Sequence, residues 1–128
     1  FYFIQKGYIE KNVGITSENG NSYTDLERTL IDIAIRPAYS GGVFEVLEAY
    51  EIARDKADIF KIKEYLLKLN YMYPYHQLIG FYMDKAGYNQ KIIGDIFLKN
   101  INYNFYLTYN MSNKEFDPKW KIFYPKGF

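Results

Sequence analysis

The stretch TDLERTLIDIAIRPAYSGG, residues 24 to 42, constrains this chain most, because it encodes both the start and the forced end of a helix. Thr24 or Asp25 stands where an N-cap is needed. Glu27, three residues after Thr24, completes a capping-box pattern that would satisfy otherwise orphan backbone N–H groups. Leu26, Leu30, Ile33 and Ala34 recur at the spacing of one buried helical stripe. Pro37 cannot continue the helix and pushes Arg36 out of the α region, so the helix is expected to stop near Ile35. Ser40-Gly41-Gly42 then makes the turn into the next element.

Downstream of that turn, three more helices are predicted. Val43 to about Arg54 is amphipathic: Val43, Val46, Leu47, Tyr50 and Ala53 share one arc, and Glu45, Glu48, Glu51 and Asp55 fill another. Such a charge run is by default a solvated face. Ile52 falls among these acids and adds a docking surface for a basic partner as the rival reading. Asp58 caps a third helix ending near Asn70, with Ile59, Ile62, Leu66 and Leu69 inward and Lys61, Lys63, Glu64 and Lys68 in water. Pro74 suits the first turn of a fourth helix running to about Ala86, with Gly87 as its cap and Tyr75, Leu78, Ile79, Tyr82 and Ala86 on one side. Over Gln90 to Lys99 a fifth helix competes with a strand at Ile92 to Phe97, since Gly94 weakens the helix.

Strands are expected at both ends. Residues 1 to 6 alternate as a strand closed by Gly7, and Asn19-Gly20 is a strong turn signal within a hairpin lying between Tyr8 and Tyr23. Near the C-terminus, Tyr103 to Tyr109 and Trp120 to Tyr124 read as strands separated by a polar loop, Asn110 to Pro118. Strands, then four or five helices, then strands imply an α+β domain. In it a central bundle packs on a mostly antiparallel sheet formed by the N- and C-terminal strands. The 128 residues suit a single domain, 1–128, with a real core. The chain starts at Phe1 rather than Met, in what reads as mid-strand, and is expected to be a fragment of something longer.

Composition narrows the chemistry. With no Cys there is neither a disulfide framework nor a thiolate, which fits a cytoplasmic setting. No apolar run approaches the length that spans a bilayer. The charge is near balance at +1 but uneven, with eight acids against four bases over residues 24–58 and five acids against ten bases over residues 59–128. That asymmetry points to a partner surface more than to a dedicated nucleic-acid platform. A lone His and the absence of any nucleophile motif argue against acyl-transfer catalysis and against a zinc site, so no catalytic, cofactor or metal residue is assigned. His76, in YPYHQ, reads as a partly buried ring bonded to a neighbouring group. Glu27, Arg28 and Asp32 are explained by capping and by an ordinary surface ion pair four residues apart. Gly41-Gly42 lacks the surroundings of a phosphate loop.

The pattern Glu27-Arg28-Thr29-Leu30, Asp32, Arg36-Pro37, Gly41-Gly42, followed by VFEVLEAY, resembles the C-terminal domain of AbiEi-family antitoxins of type IV toxin–antitoxin (abortive infection) systems. LNYMYPYHQLIGFYMDKAGY and the closing Trp120 to Pro125 look like the later part of a long version of that domain. The resemblance implies a non-enzymatic transcriptional autoregulator that counteracts a nucleotidyltransferase-type toxin. It also implies that operator DNA is read by an N-terminal winged helix-turn-helix not contained in these residues. On that reading Arg36, Tyr39, Tyr73, Tyr75, His76 and Gln77, near the helix junctions, are the expected exposed partner-binding positions. The alternative reading is a nucleic-acid-binding module on the C-terminal strands, with Tyr103, Tyr109, Lys119, Trp120 and Lys121 as its contacts.

Overall fold

A computed structural model describes residues 13–128, in the order β1 (Ile15–Glu18), β2 (Asn21–Thr24), α1 (Leu26–Ile35), a 3-10 turn (Pro37–Ser40), α2 (Val43–Ala53), α3 (Ile59–Leu69), α4 (Tyr75–Lys85), α5 (Gln90–Phe97), β3 (Phe105–Tyr106), β4 (Lys114–Asp117) and β5 (Ile122–Pro125). The protein is α+β, with helices in the middle of the sequence and strands toward both ends. The strand expected over residues 1 to 6 lies outside the described residues.

The hairpin forms around Asn19 and Gly20, whose positive φ values of 52° and 80° are those of a tight two-residue turn. Its second strand runs directly into α1. There the expected capping box gives way to a different arrangement: Asp25, not Thr24, caps the helix by accepting from the Arg28 N–H at 2.8 Å. Thr24 bonds the Thr29 hydroxyl, and Glu27 turns away to accept the Asp58 N–H at 3.0 Å. Glu27 therefore ties α1 to the start of α3 instead of closing its own helix end.

The expected surface pair is also corrected. Arg28 and Asp32 meet at 3.0 Å with side chains only 1% and 3% exposed, and Arg28 donates a second bond to the Val13 carbonyl. The Val13–Gly14 segment ahead of β1 packs on Arg28, a contact that helix periodicity by itself does not foretell.

α4 is the centre of the bundle. Residues Gln77 to Met83 are buried without interruption, so the single inward side expected of this helix is instead burial all round. Helices α1, α2 and α5 flank it, and the Trp120 ring from the C-terminal segment fills the space beside Gly80 where a side chain would stand. Fully buried Ile31, Val46, Tyr50, Ile62, Ile79, Phe81, Met83 and Ile93 fill the space between, each worth about 1.5–3 kcal/mol of transfer free energy for the larger side chains. In α3, Tyr65 joins Ile62 and Leu69 on the buried side, while Ile59 and Leu66 are only half-buried. Over residues 90–97 the helix prevails over the strand, secured by Asn89 accepting from the Ile92 N–H at 3.0 Å.

The C-terminal strands depart most from expectation. The described strands form two sheets, the β1–β2 hairpin and a three-stranded sheet ordered β3-β5-β4, rather than one. β3 runs parallel to β5, and β4 antiparallel. The strand expected over Tyr103 to Tyr109 contracts to Phe105–Tyr106, the expected polar loop contains β4, and the last strand starts at Ile122. One side chain accounts for the later shifts: Asp117 accepts the N–H groups of Lys119 and Trp120 at 2.8 and 3.1 Å. The resulting turn pairs Asp117 with Ile122 and drives Trp120 into the core.

Candidate functional site

A groove of about 960 Å³ lies between the end of α1 and the β3 segment. It is lined by Ala34 to Ala38 and the Gly41-Gly42 turn, by Tyr73, Tyr75 and Leu78, and by residues Asn104 to Tyr109. Pro37 sets this geometry by stopping α1 and starting the 3-10 turn, and Gly41 and Gly42 close that turn at φ 98° and 129°, backbone that favours glycine. A smaller hollow of about 230 Å³ adjoins it, lined by Asp32, Ile35, Arg36, Tyr39, Tyr71 and Tyr75.

Rings dominate the rim. Tyr71 meets Tyr75 edge-on at 5.1 Å and 89°, and Tyr73 meets Tyr75 at 6.0 Å. Arg36 donates to the Tyr39 hydroxyl at 3.1 Å and its guanidinium stands 5.8 Å from that ring. Burial raises the pKa of the Tyr71 phenol, and the nearby Asp32 carboxylate adds to it. Burial likewise raises that of Tyr75, with Tyr73 adding to the shift. These phenols stay neutral donors at ordinary pH. A neutral aromatic rim with one guanidinium suits recognition of a partially apolar chain carrying acceptor groups.

Four of the six partner-binding candidates come together here: Arg36, Tyr39, Tyr73 and Tyr75. The other two do not. His76 points the other way, with Nε2 2.6 Å from the Lys99 carbonyl. Gln77, expected to be exposed, is fully buried, and its amide Nε2 holds the carbonyls of Tyr103, Trp120 and Lys121 at 2.9, 2.6 and 3.3 Å. It clamps the C-terminal segment onto α4.

The five nucleic-acid candidates are dispersed. Trp120 is completely buried, with its indole N–H on Asp84 at 2.7 Å, which rules it out as a stacking ring. Lys119 is engaged by Asp84 at 3.2 Å and by Gln90 at 3.1 Å. Tyr109, 90% exposed, belongs to the groove, Tyr103 is exposed, and Lys121 sits at the turn with φ 55°.

Two sets of residues were not foreseen. Tyr71 and Tyr106 complete the groove region. On the sheet, Tyr106, Phe123 and Phe116 stand side by side, and the K-E-F-D alternation within the assumed loop was the available signal for Phe116. Among the described residues no helix is long and apolar enough to cross a membrane. Compared with family models, with curated proteins and with solved structures, the chain finds no match in any of the three.

Proposed function

We propose that this chain is the non-enzymatic regulatory domain of an AbiEi-like antitoxin, a cytoplasmic repressor that counteracts a nucleotidyltransferase-type toxin and contributes to control of its own operon. The observation that supports this reading is convergence. Three segments carry the resemblance, residues 24–50, 69–88 and 120–125, and junction residues of the first two, Arg36, Pro37, Gly41 and Gly42 with Tyr73 and Tyr75, line one groove. Residues that serve only folding have no need to meet at an open surface. In this reading the groove receives an extended segment of a protein partner, and DNA is read by a domain outside these residues.

Co-expression tests it. The full-length protein should relieve growth arrest caused by the neighbouring gene product and shift its own promoter DNA. A Tyr73→Ala, Tyr75→Ala variant should fold normally and lose the relief while keeping the shift. Failure of the intact protein in both assays would reject the antitoxin reading, and full relief by the double variant would reject the groove.

A further inference from the structure

The three-stranded sheet carries a row of rings on the side facing solvent. Register places Phe116 of β4 opposite Phe123 of β5, and Tyr106 of β3 opposite the same Phe123. The Tyr106 and Phe123 rings stack at 4.8 Å and 17°, and Phe116 follows at 4.7 Å and 47°. The row crosses all three strands of the sheet, about 10 Å. Tyr106 is 56% exposed and Phe116 39%, whereas the opposite face buries Leu107 and Ile122 and sets Tyr124 against Phe81. Core packing therefore explains one face of the sheet and leaves the ring row without a structural purpose.

In β4, in β5 and at the two ends of β5, Lys114, Lys121 and Lys126 stand against Glu115 and Asp117. Strand alternation puts Lys114 on the same face as Phe116 and Glu115 on the other, where it accepts from the Tyr124 hydroxyl at 3.1 Å. Asp117 is occupied by its turn. Lys121 and Lys126 flank β5 at its two ends.

From this we infer that the sheet face is a binding platform for single-stranded nucleic acid, with bases stacking on Tyr106 and Phe116, the exposed rings at the two ends of the row, and phosphates meeting Lys114 and the flanking lysines. Every base has a π-face, so exposed rings bind single strands with little sequence preference, while bases inside a duplex cannot reach them. An apolar peptide would be better served by a concave surface than by a ring row edged with cations. The inference does not rest on the antitoxin reading, although Lys121 and Phe123 fall within the resembling segment 120–125 and Tyr106 also lines the groove.

Fluorescence anisotropy on the full chain, with labelled oligo(dT) and oligo(U) of about 12 nucleotides, tests it. Saturable binding is expected near 50 mM salt and should weaken steeply by about 200 mM. Tyr106→Ala with Phe116→Ala should weaken binding by about tenfold per ring or more, with Trp120 emission unchanged to show an intact core. Tyr106→Phe should keep the affinity, and Lys114→Gln should reduce the salt slope by about 1. Absence of saturable binding at low salt, binding indifferent to loss of both rings, or equally tight binding of a duplex would each overturn the proposal.

Discussion

Arg28 and Asp32 form an ion pair at 3.0 Å inside the protein, one turn apart on α1, and the Val13 carbonyl ahead of β1 takes the second guanidinium bond. Breaking such a pair leaves an uncompensated buried charge, so Arg28→Ala or Asp32→Ala should each lower unfolding free energy by about 3–5 kcal/mol. Lys68→Ala, which removes the exposed Glu64–Lys68 pair at 2.8 Å, should change it by less than about 1 kcal/mol. Urea unfolding of the three variants decides between these magnitudes. Equal, small losses would mean that the Arg28 pair is solvated.

Gly80 should tolerate no side chain. A Cβ there would stand 2.3 Å from Trp120 Cζ3, and Trp120 cannot retreat because its indole N–H is held by Asp84. Gly80→Ala is expected to cost at least about 1–3 kcal/mol through overpacking, against the gain in helix propensity of about 1 kcal/mol that the same change gives in an open helix. Trp120 is the sole tryptophan, so a red shift of intrinsic emission reports its displacement.

Two buried phenols should respond oppositely to losing their hydroxyls. Tyr50 donates to the Leu30 carbonyl at 2.7 Å, whereas the Tyr82 hydroxyl is buried without a partner among the described residues. Tyr50→Phe should cost about 1 kcal/mol and Tyr82→Phe should be neutral or stabilising. Thermal melts of the two variants suffice, and a loss on Tyr82→Phe equal to that on Tyr50→Phe would contradict the assignment.

Alkaline pH should destabilise the fold. Burial, then the hydrogen bond to Asp25, pushes the Tyr65 phenol up to about 12, and burial also raises Tyr50, Tyr82 and Tyr88. A raised folded pKa means stability fully present below the ordinary phenol value of 10.0 and lost as pH climbs toward the folded value. Stability should therefore fall from about pH 10 upward, with phenolate absorbance rising in step with unfolding. On the acid side, burial works against the Asp84 carboxylate, but the Trp120, Gln90 and Lys119 donors outweigh it and hold its pKa below the ordinary value. Its contribution is present above that ordinary value and is lost as pH falls through the depressed one. Asp84→Asn should make the acid limb shallower in pH-dependent melts.

Local signals carried the helices and the first hairpin, because caps, proline stops and apolar spacing act within a few residues. Asp58, Pro74 and the Asn19-Gly20 turn all lie where those signals put them. Long-range choices were not legible. Whether Glu27 closes its own helix or reaches Asp58, and whether Arg28 faces water or the hairpin, depends on segments that local spacing does not bring together. The same holds for the candidate sites. Arg36, Tyr39, Tyr73 and Tyr75 were chosen for their junction positions and do share a surface, but Gln77 and Trp120 look equally accessible in sequence and are buried by each other's segments. A two-residue parallel strand such as β3 has no periodic signature at all.

Tyr106 belongs to two neighbourhoods at once: it lines the groove and it begins the ring row across β3, β5 and β4. Occupants of the two surfaces would therefore share one side chain on one short edge strand. Thermodynamic reciprocity then requires that whatever a groove ligand does to the affinity of the sheet face, a ligand on the sheet face does equally to the groove. If Tyr106 must turn to serve one of them, the two ligands exclude each other, and a two-residue strand becomes a selector between partners.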